Sequence, residues 1–394
     1  MKTELGIDIC VKNRFKLFKD DKLGLLINSA SVDSDLKYTQ DLFINSRCKV
    51  AALFGPEHGI KSDAQAFIKT KGVRDNKTGI LVHSLYGETL EPTKEMLKDI
   101  DTMVIDLQDI GTRYYTYIWT MALVMKACSK YNKKVIVLDR PNPINGITLE
   151  GTILNKKLSS FVGIYPIPVR HGMTVGELAK MFNEEFKIKA NLQVVKMKNW
   201  ERKTWMDETG LHWVLPSPNM PTLDTATVYA GMCLLEGTNI SEGRGTTKPF
   251  EIFGAPWIRE EELCKELEKE NLPGVKFRPL SFIPVADKFK KERCGGAQMH
   301  ILDRDIFSSF ITGIIIIKTI KNLYPKFFEW KKPPYEPVIG YTFPNSMPID
   351  LLVGNSDIRV QIDRNSLPSK EVLQKEWKKE LLKFSKTREK YLLY

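Results

Sequence analysis

The feature that most restricts the fold of this chain is an alternation, sustained through its first half, of short apolar runs with helical segments. KLGLLIN (22–28), KVAALF (49–54), ILVHSL (80–85), TMVIDL (102–107) and KVIVLD (134–139) read as strands. YTQDLFINS (38–46), PTKEMLKDI (92–100) and YTYIWTMALVMKACSKY (115–131) read as helices, the second with Pro92 at its first helical position. Near-continuous apolar strands are those buried on both faces. The pattern therefore predicts an α/β protein whose first domain is a mainly parallel sheet covered by helices on both faces, with KVIVLD as the last strand of the series.

Three of these strands run into unusual polar loops: KVAALF into GPEHG, TMVIDL into QDIGTRYYTY, and KVIVLD into RPNPING. Ligands of open α/β sheets bind outside the carboxyl ends of the strands, so these loops mark the expected site. LFGPEHG places Glu57 and His58 after a buried strand, where a desolvated carboxyl can serve as a proton donor. DLQDIGTRYYTY (106–117) supplies Asp109 as a second carboxylate or an orienting group, Arg113 as an anion fork, and Tyr115 and Tyr117 as a sugar-stacking wall. The same string also fits a capped helix start with aromatic packing. LDRPNPING (138–146) adds Asp139, Arg140 and Asn142, which fit either a site or an internal ion pair and turn. RHGMT (170–174) gives His171 and a Thr174 helix cap.

A second domain is expected from residue 151 to 394, after a first domain of residues 1–150. Its segments include a helix at 177–186, a strand at 192–197, a surface helix at 258–271, a buried helix at 308–324 and a charged helical tail at 371–394. Two long loops, PSPNMPT (216–222) with Asn219 and EGTNISEGRGTTKPFE (236–251) with Asn239, Glu242 and Arg244, flank a further helix. Loops of this length in a compact domain are usually functional. The glycines around Arg244 suggest a mobile loop that carries Glu and Arg over the cleft.

Composition excludes several classes. The formal net charge of +11 permits an anionic partner, yet the basic residues are dispersed and no zinc-finger, homeodomain or RNP pattern occurs, so no nucleic acid is expected. The six cysteines form no C-x-x-C pair and read as core thiols rather than a zinc or redox centre. No metal and no cofactor are expected, since G-x-G-x-x-G, a Walker lysine, G-x-S-x-G and H-E-x-x-H are all missing. The apolar run FITGIIII (310–317) stops at Lys318, too short to span a bilayer, so no membrane association is expected. The first residues hold no apolar signal core, which reads as cytoplasmic, or as secreted or periplasmic if a leader has been removed. Nothing in the sequence fixes an oligomeric state.

Taken in order, LFGPEHG, SLYG, DLQDIGTRYYTY, LDRPNPING, EGTIL, SFVGIYPIPVRHGMTVGELA, WVLPSPNMPT and LLEGTNISEGRGTTKPFEIFGAPW resemble the NamZ-type exo-β-N-acetylmuramidase family of glycoside hydrolases. The resemblance implies a Rossmann-like domain, a smaller α/β domain and a cleft between them. It also implies release of N-acetylmuramic acid from the non-reducing ends of peptidoglycan-derived disaccharides or oligosaccharides. The acidic residue of the family's PEHG string falls on Glu57, as general acid. Chemistry then suggests Asp109 or Glu242 as its partner. Arg113, Arg140 or Arg244 would hold the lactyl carboxylate of muramic acid. The chain departs from the family pattern at GIKSDAQAF (59–67) and at His83. A sugar-phosphate isomerase or transferase, and a wall-fragment binding protein without catalysis, are the alternatives.

Overall fold

A computed structural model describes residues 2–62, 73–335 and 345–394. Residues 63–67 of the GIKSDAQAF departure lie outside the described residues. The principal sheet has seven strands in the order β3-β4-β2-β1-β5-β6-β9. These are β1 (Lys22–Ile27), β2 (Lys49–Gly55), β3 (Val73–Arg74), β4 (Leu81–Ser84), β5 (Thr102–Asp106), β6 (Lys134–Leu138) and, after the β7–β8 pair, β9 (Asn191–Val195). Every pairing is parallel except that of the short edge strand β3 with β4. The strand expected at 192–197 is thus β9, which lies against β6. The sheet continues past residue 150, and KVIVLD is not its last strand. Chain order reverses on either side of β1, the arrangement that opens a crevice at the carboxyl edge.

Alternate residues of the central strands enter two hydrophobic layers. Met103 and Ile105 of β5 join one cluster, and Val104 joins the other. Helices Tyr117–Lys130 and Val175–Glu185 cover the first face, while Gly6–Lys12 and Thr39–Asn45 cover the second. The helix expected from Pro92 starts later. Thr93 is its cap, accepting from the Met96 amide at 3.3 Å, and Pro92 precedes the cap. Thr174 caps its helix as expected, in a reciprocal capping box with Glu177.

The remainder of the chain adds β7 (Glu150–Ile153) paired with β8 (Pro168–Arg170). It also adds an antiparallel sheet of β10 (Ile252–Ala255), β11 (Val275–Phe282) and β12 (Cys294–Ile301), in the order β10-β12-β11. Helices Leu223–Met232 and Ser309–Leu323 pack closely here. The larger hydrophobic cluster runs without a break from the principal sheet into these helices, from Met103 through Trp119 to Ile315. All six cysteines are free, and five of them are buried. No helix among the described residues is long and apolar enough to cross a membrane.

Gly231 and Gly313 let the two crossing helices touch backbone to backbone. A Cβ on Gly231 would sit 1.9 Å from the Ser309 carbonyl oxygen, and one on Gly313 would sit 2.2 Å from the Gly231 oxygen. Overpacking of this kind usually costs about 1–3 kcal/mol. Gly231→Ala should therefore lower the urea midpoint of unfolding by at least that equivalent. An unchanged midpoint would show that the helices separate freely.

Candidate active site

β2 ends at Gly55, and the chain turns at once: the Gly59 amide donates to the Pro56 carbonyl at 3.0 Å. His58 takes a left-handed conformation, φ 71°, that is uncommon for a non-glycine residue. This turn holds Glu57 over the carboxyl edge of the sheet. Thr116, at the N-cap position of helix Tyr117–Lys130, makes no capping bond with its side chain; its hydroxyl donates to Glu57 Oε2 at 2.8 Å.

Glu57 and Thr116 line a small, partly enclosed pocket with His58, Tyr115, Tyr117, Ser217, Asn219, Tyr229, Glu236, Arg244, Phe250 and Tyr335 among its other walls. A run of aromatic contacts spans the wall. His58 meets Tyr117 at 6.5 Å, Tyr117 meets Tyr115 at 4.8 Å, Tyr115 meets Tyr229 at 6.0 Å, and Tyr229 meets Phe250 at 4.7 Å. The Arg244 guanidinium ends the run, 5.0 Å over the Phe250 ring. Burial pushes the phenols of Tyr115, Tyr229 and Tyr335 well above their ordinary values, so they stay neutral.

The same pocket also carries a charged cluster. Arg244 donates to Glu236 Oε1 at 2.8 Å and lies 3.3 Å from Glu242. The Tyr335 hydroxyl donates to the other oxygen of Glu236. Lys288 closes the cluster from behind, donating to Glu242 Oε2 at 2.9 Å and to the carbonyls of Leu235 and Ile240 at 2.9 and 2.8 Å. Burial alone would raise the Glu236 carboxyl; the Arg244 charge and the two donors outweigh it and hold the group below its usual range. The loop around Arg244 is fastened rather than free. Phe250 donates to the Glu242 carbonyl, and Val285 donates to that of Gly245. The expected mobile lid is therefore an anchored wall.

The expected residues divide clearly. Glu57, His58, Tyr115, Tyr117, Asn219 and Arg244 share the pocket. Arg113 does not: it is fully buried and donates to the carbonyls of Thr152, Ile167, Leu352 and Val353, which leaves it turned away from any ligand. Arg140 is bound to Asp106 at 2.6 and 2.8 Å beneath a separate, smaller depression, so an internal ion pair consumes it. Asp109 accepts from the Gly111 amide at 2.7 Å and meets His171 Nε2 at 3.2 Å, both side chains being buried outside the pocket. Glu242 lies behind Arg244. Asn142 donates to the Met173 carbonyl, and Asn239 to that of Phe327, as loop ties. Sequence reasoning missed Thr116, Ser217, Tyr229, Glu236, Phe250 and Tyr335. Glu236 was visible only as the first residue of the long loop.

Asp139 accepts from Gly176 N, Thr174 Oγ1 and Tyr394 Oη at 2.7–2.8 Å, organising a helix start and the C-terminal residues rather than a ligand. Burial raises its carboxyl to about 7. Between the ordinary carboxylate value and that point the folded chain holds a proton that the unfolded chain has released. Its contribution to stability is thus full below the ordinary value and lost as pH rises towards 7. Asp139→Asn should remove this falling component from the difference between variant and parent in urea unfolding, read from pH 4 to about 7. A difference that does not vary with pH would contradict the assignment.

Fold and pocket together define an α/β protein with an aromatic-walled, carboxylate-bearing pocket at the carboxyl edge of its sheet. The chain belongs to the exo-β-N-acetylmuramidase NamZ family, whose N-terminal model matches residues 23–224 and whose C-terminal model matches residues 227–394. It is 48% identical to the peptidoglycan β-N-acetylmuramidase NamZ of Bacillus subtilis (strain 168), over 100% of this chain and 92% of that protein. Two crystal structures of DUF1343 family proteins from Bacteroides fragilis NCTC 9343 share the fold. One has a TM-score of 0.88 at 36% identity and the other 0.78 at 28%, each covering 100% of this chain and 99% of its own.

Proposed function

We propose that this chain is an exo-β-N-acetylmuramidase that releases N-acetylmuramic acid from the non-reducing ends of peptidoglycan fragments, with Glu57 as its general acid. Membership of the NamZ family, and a B. subtilis relative named for this activity on peptidoglycan, carry the reaction to this chain. The observation that carries the role of Glu57 is its placement in the pocket, held by Thr116 at one carboxyl oxygen against an aromatic wall. In this reading the sugar's apolar face lies on the tyrosines. Glu57 gives its proton to the leaving glycosidic oxygen, so that the departing sugar leaves as an alcohol rather than an alkoxide.

Muramic acid differs from glucosamine by a lactyl ether ending in a carboxylate. Arg244 is the cation that lines the pocket among the residues considered for that group, with its side chain only 11% exposed. A partly desolvated guanidinium gives a charge-assisted bond worth about 1.5–3 kcal/mol. Its neighbours already engage part of the fork, so the lactyl group would share Arg244 with Glu236.

Glu57→Gln should lower turnover of a muramoyl disaccharide by about 10²–10⁴-fold with unfolding unchanged. Near-normal turnover would remove Glu57 from its role. Arg244→Ala should lower kcat/KM for an N-acetylmuramide about 10–100-fold more than for the matching N-acetylglucosaminide, since losses through Glu236 are common to both substrates and cancel in the ratio. An unchanged ratio would place lactyl recognition elsewhere.

A further inference from the structure

Glycosidic cleavage with an acid catalyst generates positive charge at the anomeric carbon and ring oxygen. A second group must answer that charge, and most such enzymes use a carboxylate. Neither sequence candidate lines the pocket. Asp109 is tied to Gly111 and His171, and Glu242 is tied to Lys288. Glu236 does line it, together with Glu57. We propose that Glu236 is the second catalytic carboxylate of this site, an ionised group set against the charge that develops on the muramoyl ring, and that Arg244 and Tyr335 are its positioning residues. The inference rests on the glycosidase reading above.

Three features fit Glu236 to this task. Its two oxygens have separate donors, Arg244 at Oε1 and the Tyr335 hydroxyl at Oε2, so the carboxylate plane is fixed before a substrate arrives. A preorganised charge of this kind needs no rearrangement as the transition state forms. The Arg244 charge and these donors keep the group ionised despite burial, which is the state that charge stabilisation requires. The protein also fixes the backbone on either side: Lys288 grips the carbonyls of Leu235 and Ile240, bracketing Glu236.

The bond from the anomeric carbon to the leaving oxygen breaks, its electron pair staying on that oxygen, which takes the Glu57 proton. Glu236 faces the resulting positive ring. A water oxygen then bonds to the anomeric carbon and its proton passes to Glu57, restoring it, because Glu236 held by two donors is a poor base. The sum is consumption of one water.

The test compares Glu236→Gln with Glu57→Gln on two substrates, a muramoyl disaccharide and a nitrophenyl muramide whose leaving group needs no proton. Loss of the acid should matter far less for the nitrophenyl substrate. Loss of Glu236 should lower kcat on both by a similar factor, about 10²–10³-fold, with KM little changed. Tyr335→Phe supplies an independent reading that does not depend on how Glu236→Gln folds. It removes one donor from Glu236, so the acidic limb of the kcat/KM profile should move to higher pH, while a residue that only packs would leave that limb in place. Three outcomes would overturn the inference: a Glu236→Gln enzyme within about threefold of the parent, a defect confined to the disaccharide, or an unmoved acidic limb in Tyr335→Phe. If the parent enzyme hydrolyses neither muramide, the glycosidase reading itself fails; if it hydrolyses both and Glu236→Gln does too, only the role of Glu236 falls.

Discussion

A guanidinium with no carboxylate among its hydrogen-bond partners sits at the centre of this molecule. Arg113 is wholly removed from water, which would be ruinous for a charge left unsolvated. Four carbonyl oxygens replace the water: Thr152 and Ile167 from the β7–β8 region, and Leu352 and Val353 from the last turn of helix Pro348–Val353, where the helix dipole also favours a cation. That helix ends at Gly354, φ 89°, and a Cβ there would lie 2.8 Å from an Arg113 nitrogen. Burial lowers the guanidinium to about 10, so it stays charged at neutral pH. The residues that follow it are Tyr114, Tyr115, Thr116 and Tyr117, four walls of the pocket. The DLQDIGTRYYTY string, which reads as ligand-binding in the sequence, is thus anchored at Arg113 by the polypeptide backbone of distant segments.

Electrostatics divides the site in a second way. Every charge in the cluster of Glu236, Arg244, Glu242 and Lys288 has a partner of opposite sign within 3.3 Å. Buried pairs of this kind are a weak source of stability because each ion has lost its hydration. Their value here lies in geometry. Lys288, on the segment joining β11 to β12, reaches across to the loop that carries Glu236 and Arg244, so the antiparallel sheet sets the position of charges that face the parallel one.

The parallel sheet was legible in the sequence because its central strands are apolar on both faces, and a continuous apolar run needs no context to be read. Glu57 was legible for a related reason: it follows its strand by two residues, so its position is a local property. β9 was assigned to the wrong side of a boundary because a strand of pattern LQVVK does not reveal its neighbour, and its neighbour β6 ends more than fifty residues earlier. Arg113, Arg140 and Arg244 look alike as candidates. What separates them is the partner, a set of carbonyls, Asp106 or Glu236, and only folding brings those partners near. Glu236 itself is hidden after the apolar pair Leu234–Leu235 in a short 3-10 turn, where its context reads as core.

The walls of the pocket come from points along the chain as far apart as Glu57 and Tyr335. Closing such long loops costs entropy that local contacts do not repay, so assemblies of this kind complete late in folding. The parallel sheet can form its own ladder without any residue of β10, β11 or β12. A chain that has done only this would have a site with one carboxylate and half a wall. Recovery of binding during refolding would then report the arrival of the segments that carry Glu236, Arg244 and Tyr335.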